Sequence, residues 1–472
     1  MNETRTLARF VAETTFTDLP RRLVENLKIT VLDTVGAALV GTRQPWAQRI
    51  VAVVKALGGA PEASVIHQGW RTDVSRAACA NGVLIGAFEC EPLTGSHASG
   101  TVLPAALAVC ECRRLDGVAF LTALALGFEV SARIARTAVG LETVRGFHNP
   151  GTQGPFGAAA AVGKLYGFDE ARLTDALGIA GSSCAGLLEF AWSGGDTKRL
   201  HLGRAAQLGL ESALLARQGV RGPATVLEGR YGYFNAFSTP PRMEKLVRGL
   251  GTEWAIEPPS LKSYATHVTQ QAVVQAIQEL KREHPLDPRA ITRVVVRGAE
   301  RIMEERHAAR EPGDVLGGQY SLPFTTAVAL TRDMSNPLVY DLSAVNDPIV
   351  RDLARRIELA RRAQCCVILE TASDRRAGLA DGVVGFSESP EQFRAAVEPV
   401  TRLRQREKLT GSFELWATIK MPDDRETWRR LRQAYEEAGA TGIIVPSDPR
   451  LLDLLRNGDE EEDRSDLGLA QG

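Results

Sequence analysis

Residues 147–163 read FHNPGTQGPFGAAAAVG, a stretch with almost no side-chain volume after its histidine. Five consecutive small residues, Gly157 to Ala161, bury little apolar area of their own. Such a segment is stable only where neighbouring backbones come close enough to replace the missing side-chain contacts. That requirement restricts the chain to a fold in which helices pack at short range. Asn149, Pro150 and Gly151 are expected to break the chain ahead of the tract, which places His148 at the mouth of a closely packed helix.

The first half of the chain carries a helical period throughout. TDLPRRLVENLKITVLDTVGAALVG has Pro20 at a first-turn position, apolar residues at Leu23, Leu27, Val31 and Val35, and Gly41 as a stop. Further helices are predicted over 77–88, 102–112, 118–135, 156–166, 170–180 and 204–216. Near Pro258 the character changes: ITRVVVRG at 291–298 reads as a strand, flanked by helical patterns at 268–281 and 322–331. From about residue 363, QCCVILE, GVVGF, SFELWATIK and TGIIV are strand-like runs. They alternate with the helix-like SPEQFRAAVEPVTRLRQRE and DDRETWRRLRQAYEEAG, a rhythm that suggests parallel βα units. The end, DEEEDRSDLGLAQG, is acidic and expected to be disordered. The expected fold class is a mainly α large domain (1–257) plus a smaller α/β domain (258–362). A C-terminal βα-repeat segment (363–455) and the acidic tail (456–472) follow.

Composition narrows the partners. The chain has 472 residues, 44% of them hydrophobic, enough to fill more than one core. Its 56 basic and 57 acidic residues leave a net charge of −1, which argues against a nucleic-acid surface. Seven cysteines without CxxC pairs or zinc spacing read as reduced core thiols in a cytoplasmic protein, with Cys110 and Cys112 as packing residues on a helix. The N-terminus lacks a basic region followed by an apolar one. The best apolar run, Val118 to Val130, contains Glu129 and is too short to span a bilayer, so neither export nor membrane insertion is expected. No HExxH, no phosphate-binding glycine loop and no GxGxxG after a strand occur, so no metal and no cofactor is expected.

The chemistry concentrates in short polar islands set in apolar helical context. These are EPLTGSHASGTVLPAAL with His97, GFHNPGTQG with His148, DTKRLHLGRAA with Lys198, Arg199 and His201, and SLKSYATH with Lys262, Tyr264 and His267. Any one of these histidines could merely satisfy a local carbonyl, but four in one setting point to function. A turn before a helix offers free N–H groups and a positive dipole end to a carboxylate. Lysines hold further carboxylates, and a neutral imidazole moves a proton at carbon. Phe190 and Trp192 could shape a pocket, although aromatic residues beside a turn more often belong to a core. Loss of His148 or Lys198 is expected to abolish turnover and leave thermal stability nearly unchanged.

These islands resemble the MmgE/PrpD family of 2-methylcitrate dehydratases, cis-aconitate decarboxylases and iminodisuccinate epimerases. The resemblance covers roughly residues 1–360 and rests on VLDTVGAALVG, HASGTVLPAALA, GFHNPGTQGPFGAAAAVGKLYG, ALGIAGSS, DTKRLHLGRAA, GPATVLEGRYGYFNAF and QYSLPFTTAVAL. It implies a large helical domain and a small α/β lid with the active site between them, and a homodimer. It also implies His97, His148, Lys198, His267 and Tyr320 as catalytic residues, with Lys262, Glu89, Glu91, Arg199 and His201 binding substrate. The activity implied is a cofactor-independent lyase dehydrating or decarboxylating a small di- or tricarboxylate, with no nucleic-acid or membrane partner. Where many members carry Asp-Phe-Asp-Asp-Thr, this chain has AFECE, so the first aspartate becomes Ala87 and acids survive as Glu89 and Glu91. Residues 363–455 instead resemble the C-terminal part of luciferase-like flavin monooxygenases. Three alternatives stay open: a dicarboxylate epimerase, a flavin-dependent enzyme and a catalytically silent binding protein.

Overall fold

The computed structural model describes residues 2–142, 144–256, 258–283, 286–298 and 304–361. Beyond these it describes four strands and the helical positions 430, 433, 434 and 437. Two compact units are present, Met1–Thr266 and His267–Gly472.

The first unit is built of α1 (Glu3–Glu13), α2 (Arg21–Gly41), α3 (Pro45–Leu57), α4 (Val74–Ile85), α5 (Ala98–Thr101), α6 (Leu103–Arg113) and α7 (Gly117–Thr137). These are followed by α8 (Asn149–Leu165), α9 (Glu170–Gly181), α10 (Phe190–Ser193), α11 (Thr197–Arg217), α12 (Tyr233–Phe237) and α13 (Glu244–Val247). Asp73, Asp116 and Asp169 cap α4, α7 and α9 by accepting a first-turn backbone N–H, which satisfies a donor the helix itself cannot pair. A two-residue hairpin, β1 (Ala63–Ser64) with β2 (Arg71–Thr72), interrupts the helices.

α8 lies against α7, α9 and α11 and is buried along nearly its whole length. The small residues permit this. A Cβ on Gly157 would stand 2.6 Å from the Gly127 carbonyl oxygen, and one on Gly209 2.4 Å from that of Pro155. Asn149, Pro150 and Gly151 do not break the chain; they form the first turn of α8. Proline fits there because the N–H it lacks would have had no partner within the helix. His148 precedes them in extended conformation as the N-cap residue.

Gly203 of α11 makes the same kind of contact with α4, and a Cβ on it would come 2.3 Å from the Cys79 carbonyl oxygen. In an exposed helix Gly→Ala gains about 1 kcal/mol. Here the methyl group meets rigid backbone, so Gly203→Ala is expected to destabilise by about 1–3 kcal/mol. Thermal denaturation checks this, and a raised melting temperature would exclude the contact.

α7 runs well past the apolar stretch seen in the sequence. By length and composition it could cross a membrane, but 72% of its apolar window is buried inside the protein. Its Glu129 and Arg133 form a buried ion pair, and Arg133 also donates to the Arg248 and Glu253 carbonyls at 2.7 and 2.6 Å. Cys79, Cys90, Cys110, Cys112 and Cys184 are free thiols. Cys112 is exposed, which corrects its reading as a core residue, because its position faces away from the other helices.

The second unit holds α14 (Gln271–Glu283), β3 (Ile291–Gly298), α15 (Val315–Tyr320), α16 (Leu322–Thr331), α17 (Leu342–Asn346), α18 (Pro348–Arg355) and β4 (Ile357–Arg361). The remaining strands are β5 (Cys366–Thr371), β6 (Gly382–Phe386), β7 (Glu414–Thr418) and β8 (Gly442–Ile444). They form one sheet in the order β4-β3-β5-β6-β7-β8. β6, β7 and β8 are parallel, as the βα rhythm suggests, but β5 runs antiparallel to both β3 and β6, so the sheet is mixed. The helix expected over 389–407, most of that expected over 423–439 and the acidic tail lie outside the described residues.

Candidate active site

The loop between α4 and α5 carries the acids. Glu89 adopts φ 59°, a left-handed conformation that costs a non-glycine residue energy and persists only where its surroundings hold it. Here two lysines hold it. Lys198, in the first turn of α11, pairs with one carboxylate oxygen, and Lys262 Nζ lies 3.1 Å from the other. Lys262 also lies 3.5 Å from Glu91 Oε1, which accepts from His97 Nδ1 at 2.7 Å. Glu89, Glu91, Lys198 and Lys262 are all buried. An ion chain Lys198–Glu89–Lys262–Glu91 thus ends on an imidazole.

Burial alone would raise the Glu91 carboxyl. The charge of Lys262, followed by the hydrogen bond and charge of His97, outweighs it and holds the group at about 2. A carboxylate oxygen only accepts, so Nδ1 of His97 carries a proton, and whenever the ring is neutral Nε2 is its acceptor nitrogen. The imidazole side chain keeps 19% of its surface accessible, whereas Glu91 keeps 1%.

His148 is placed 6.0 Å from His97, ring centre to ring centre. Its Nδ1 lies 3.1 Å from His201 Nδ1, so one ring donates and the other accepts. Burial, then the charge of Lys198, pushes His201 down to about 4. Between pH 6.5 and 4 the unfolded chain therefore takes up a proton that the folded one refuses, and stability falls as pH drops through that window. Unfolding of His201→Gln is expected to depend less on pH between 4 and 6.5 than unfolding of the parent, as melting curves across that range will read.

Arg199 reaches the start of the glutamate loop. It donates to the Ala87 carbonyl at 3.1 Å and lies over the Trp46 ring at 4.6 Å. Phe190, by contrast, presents an edge to His148 at 5.0 Å and to His201 at 5.8 Å, while Trp192 is exposed. His267 and Tyr320 lie in the second unit, with ring centres 4.9 Å apart. The sequence reading did not single out Asp33, half-buried on α2, whose carboxyl is raised by burial and then by the charge of Glu91. Its one signal was an acid inside an apolar helical run. Lys198 and His148 are 1% and 3% exposed, so they do not occupy the open turn positions from which a small effect on stability was expected.

Comparison with known proteins bears on the chemistry. The MmgE/PrpD N-terminal domain model matches residues 5–246 and the MmgE/PrpD C-terminal domain model residues 264–366. The chain belongs to the MmgE/PrpD family. It is similar to a cis-aconitate decarboxylase of Aspergillus terreus (strain NIH 2624 / FGSC A1156), 30% identical over 370 residues, 72% of this chain and 74% of the relative. The human cis-aconitate decarboxylase is 27% identical over 361 residues, 72% and 73% of the two chains. The mouse protein is 25% identical over 356 residues, 71% of each. These findings make the chain a lyase of the MmgE/PrpD type and favour neither the epimerase, the flavin-dependent enzyme nor the silent binding protein. The resemblance of 363–455 to flavin monooxygenases falls largely outside the described residues.

Proposed function

We propose that this chain dehydrates or decarboxylates a small di- or tricarboxylate without a cofactor, using His97 as the base or acid at carbon. The observation that carries this reading is the Glu91–His97 pair, in which a buried carboxylate fixes the ring and turns Nε2 toward proton transfer. Dehydration removes a proton from the carbon beside a carboxylate and then expels hydroxide. Decarboxylation expels carbon dioxide and then protonates that carbon. Both build charge next to a carboxylate, which ammonium groups stabilise. Lys198 and Lys262, held by Glu89, supply that charge, and His148 with His201 supplies a second proton-exchanging pair. The same proposal takes His267 and Tyr320, in the second unit, as proton donors to substrate.

The test is proton NMR of the protein with 2-methylcitrate, citrate, cis-aconitate and iminodisuccinate in deuterium oxide. Deuterium at the carbon beside a carboxylate, with loss of water or carbon dioxide, is expected. Inertness of all four acids would overturn the proposal.

A cytoplasmic homodimer belongs to the same reading. The Ala/Gly-rich α8 is turned inward, whereas α2 exposes Ile29, Leu32 and Leu39 at 50%, 75% and 44% on helical spacing along one side. Light scattering that returns a monomer would remove this part.

A further inference from the structure

His267, His307 and Tyr320 form a ring cluster in the second unit. The two imidazole centres are 4.6 Å apart, and His307 lies nearly parallel to Tyr320, 19° between planes, at 5.8 Å. His307 is fully buried, and its Nδ1 lies 2.9 Å from the Tyr320 carbonyl oxygen. A carbonyl oxygen only accepts, so Nδ1 of His307 carries the proton and Nε2 of the neutral ring is the acceptor. His267 has the opposite form. Both Thr269 groups face its Nδ1, the backbone N–H as a donor at 3.4 Å and the hydroxyl, free to turn its proton the same way, at 2.9 Å, an arrangement that suits a neutral ring with its proton on Nε2. The Tyr320 carbonyl receives a second bond from Gln270 Nε2 at 2.5 Å, and the Gln319 carbonyl accepts the His267 backbone N–H at 3.1 Å. Two side-chain donors occupy both lone pairs of one carbonyl, and the third bond ties His267 to the same turn.

We propose that His307 is a positioning residue for His267 and Tyr320. Through its Nδ1–H it clamps the peptide that follows the Tyr320 ring, and its own ring packs against His267, which is thereby kept in one rotamer as an Nε2 proton donor. This rests on the reading that His267 and Tyr320 act on substrate. No feature of the sequence marks His307, which stands among charged residues in EERHAARE.

Nitrogen-15 NMR of histidine-labelled protein, with His307→Asn used for assignment, reads the two tautomers without any substrate. His307 protonated on Nδ1 and His267 on Nε2 is expected; any other pairing overturns the proposal. In turnover, His307→Phe is expected to lower kcat roughly 10–100-fold with KM within about threefold, the cost of a misplaced reacting group. His307→Asn puts an amide N–H where Nδ1–H stood and should recover most of that loss. A His307→Phe enzyme with unchanged kcat, or a folded His307→Asn no better than His307→Phe, would also overturn it. If the wild type turns over none of the polycarboxylates, the functional reading fails, while the tautomer measurement still decides whether His307 and His267 are arranged as stated.

Discussion

Glu89→Ala is expected to destabilise the first unit by about 3–5 kcal/mol and to abolish turnover. The loss has one cause: removing a single carboxylate leaves two buried ammonium groups, Lys198 and Lys262, without the partner they share. Glu89→Gln keeps the shape and a hydrogen-bond acceptor but not the charge, and should fall between the variant and the parent. The left-handed backbone at Glu89 offers a control. Glycine relieves a conformational cost that alanine retains, so Glu89→Gly should be less destabilised than Glu89→Ala by about 1 kcal/mol. Urea unfolding followed by circular dichroism measures all three. A loss below about 1 kcal/mol in the alanine variant would mean that the ion chain is open to water.

His97→Ala should separate chemistry from folding. Taking away a general acid or base costs about 10²–10⁴-fold in rate, whereas the side chain is partly accessible and fills little of the core. Its removal leaves Glu91 with Lys262 at 3.5 Å, so the expected stability loss stays near 1–3 kcal/mol, the cost of one missing donor on a buried acceptor. Steady-state rates on whichever acid the wild type consumes, beside a melting curve, give both numbers. An unchanged rate would take His97 out of the reaction.

Much of the secondary structure could be read from the sequence, because periodicity is local. The helix at Leu322–Thr331 and the strands at Ile291–Gly298 and Gly382–Phe386 agree residue for residue with the patterns that predicted them. Misses fall where a local signal pointed the wrong way. α11 begins at Thr197, not 204, because Lys198, Arg199 and His201 read as a polar turn although they are built into its first turns. α8 starts earlier for a similar reason, its Pro-Gly pair being a helix opening. β4 reads IELAR inside a run of charged, helix-favouring residues that does not announce a strand, and the antiparallel setting of β5 is a property of the sheet and not of any one strand.

In the site, His97 and the two glutamates share one loop, and their chemistry was visible from residue type. Their geometry was not. Whether a lysine meets substrate or a neighbouring carboxylate depends on where a distant segment comes to rest. Arg199, adjacent to Lys198, points into packing against Trp46.

The ion chain also orders events during synthesis. Glu89 leaves the ribosome long before either lysine, and Lys262 follows it by 173 residues. Until both arrive, the helices that emerge first can collapse only by leaving the glutamate loop in water, since an unneutralised carboxylate resists burial. Lys198 can meet one oxygen of Glu89 first, but the second oxygen, and with it Glu91, has no ammonium partner until the chain has been made past Lys262. The pairing that prepares the site for a substrate is thus also a seam that joins the early part of this helical body to its last residues.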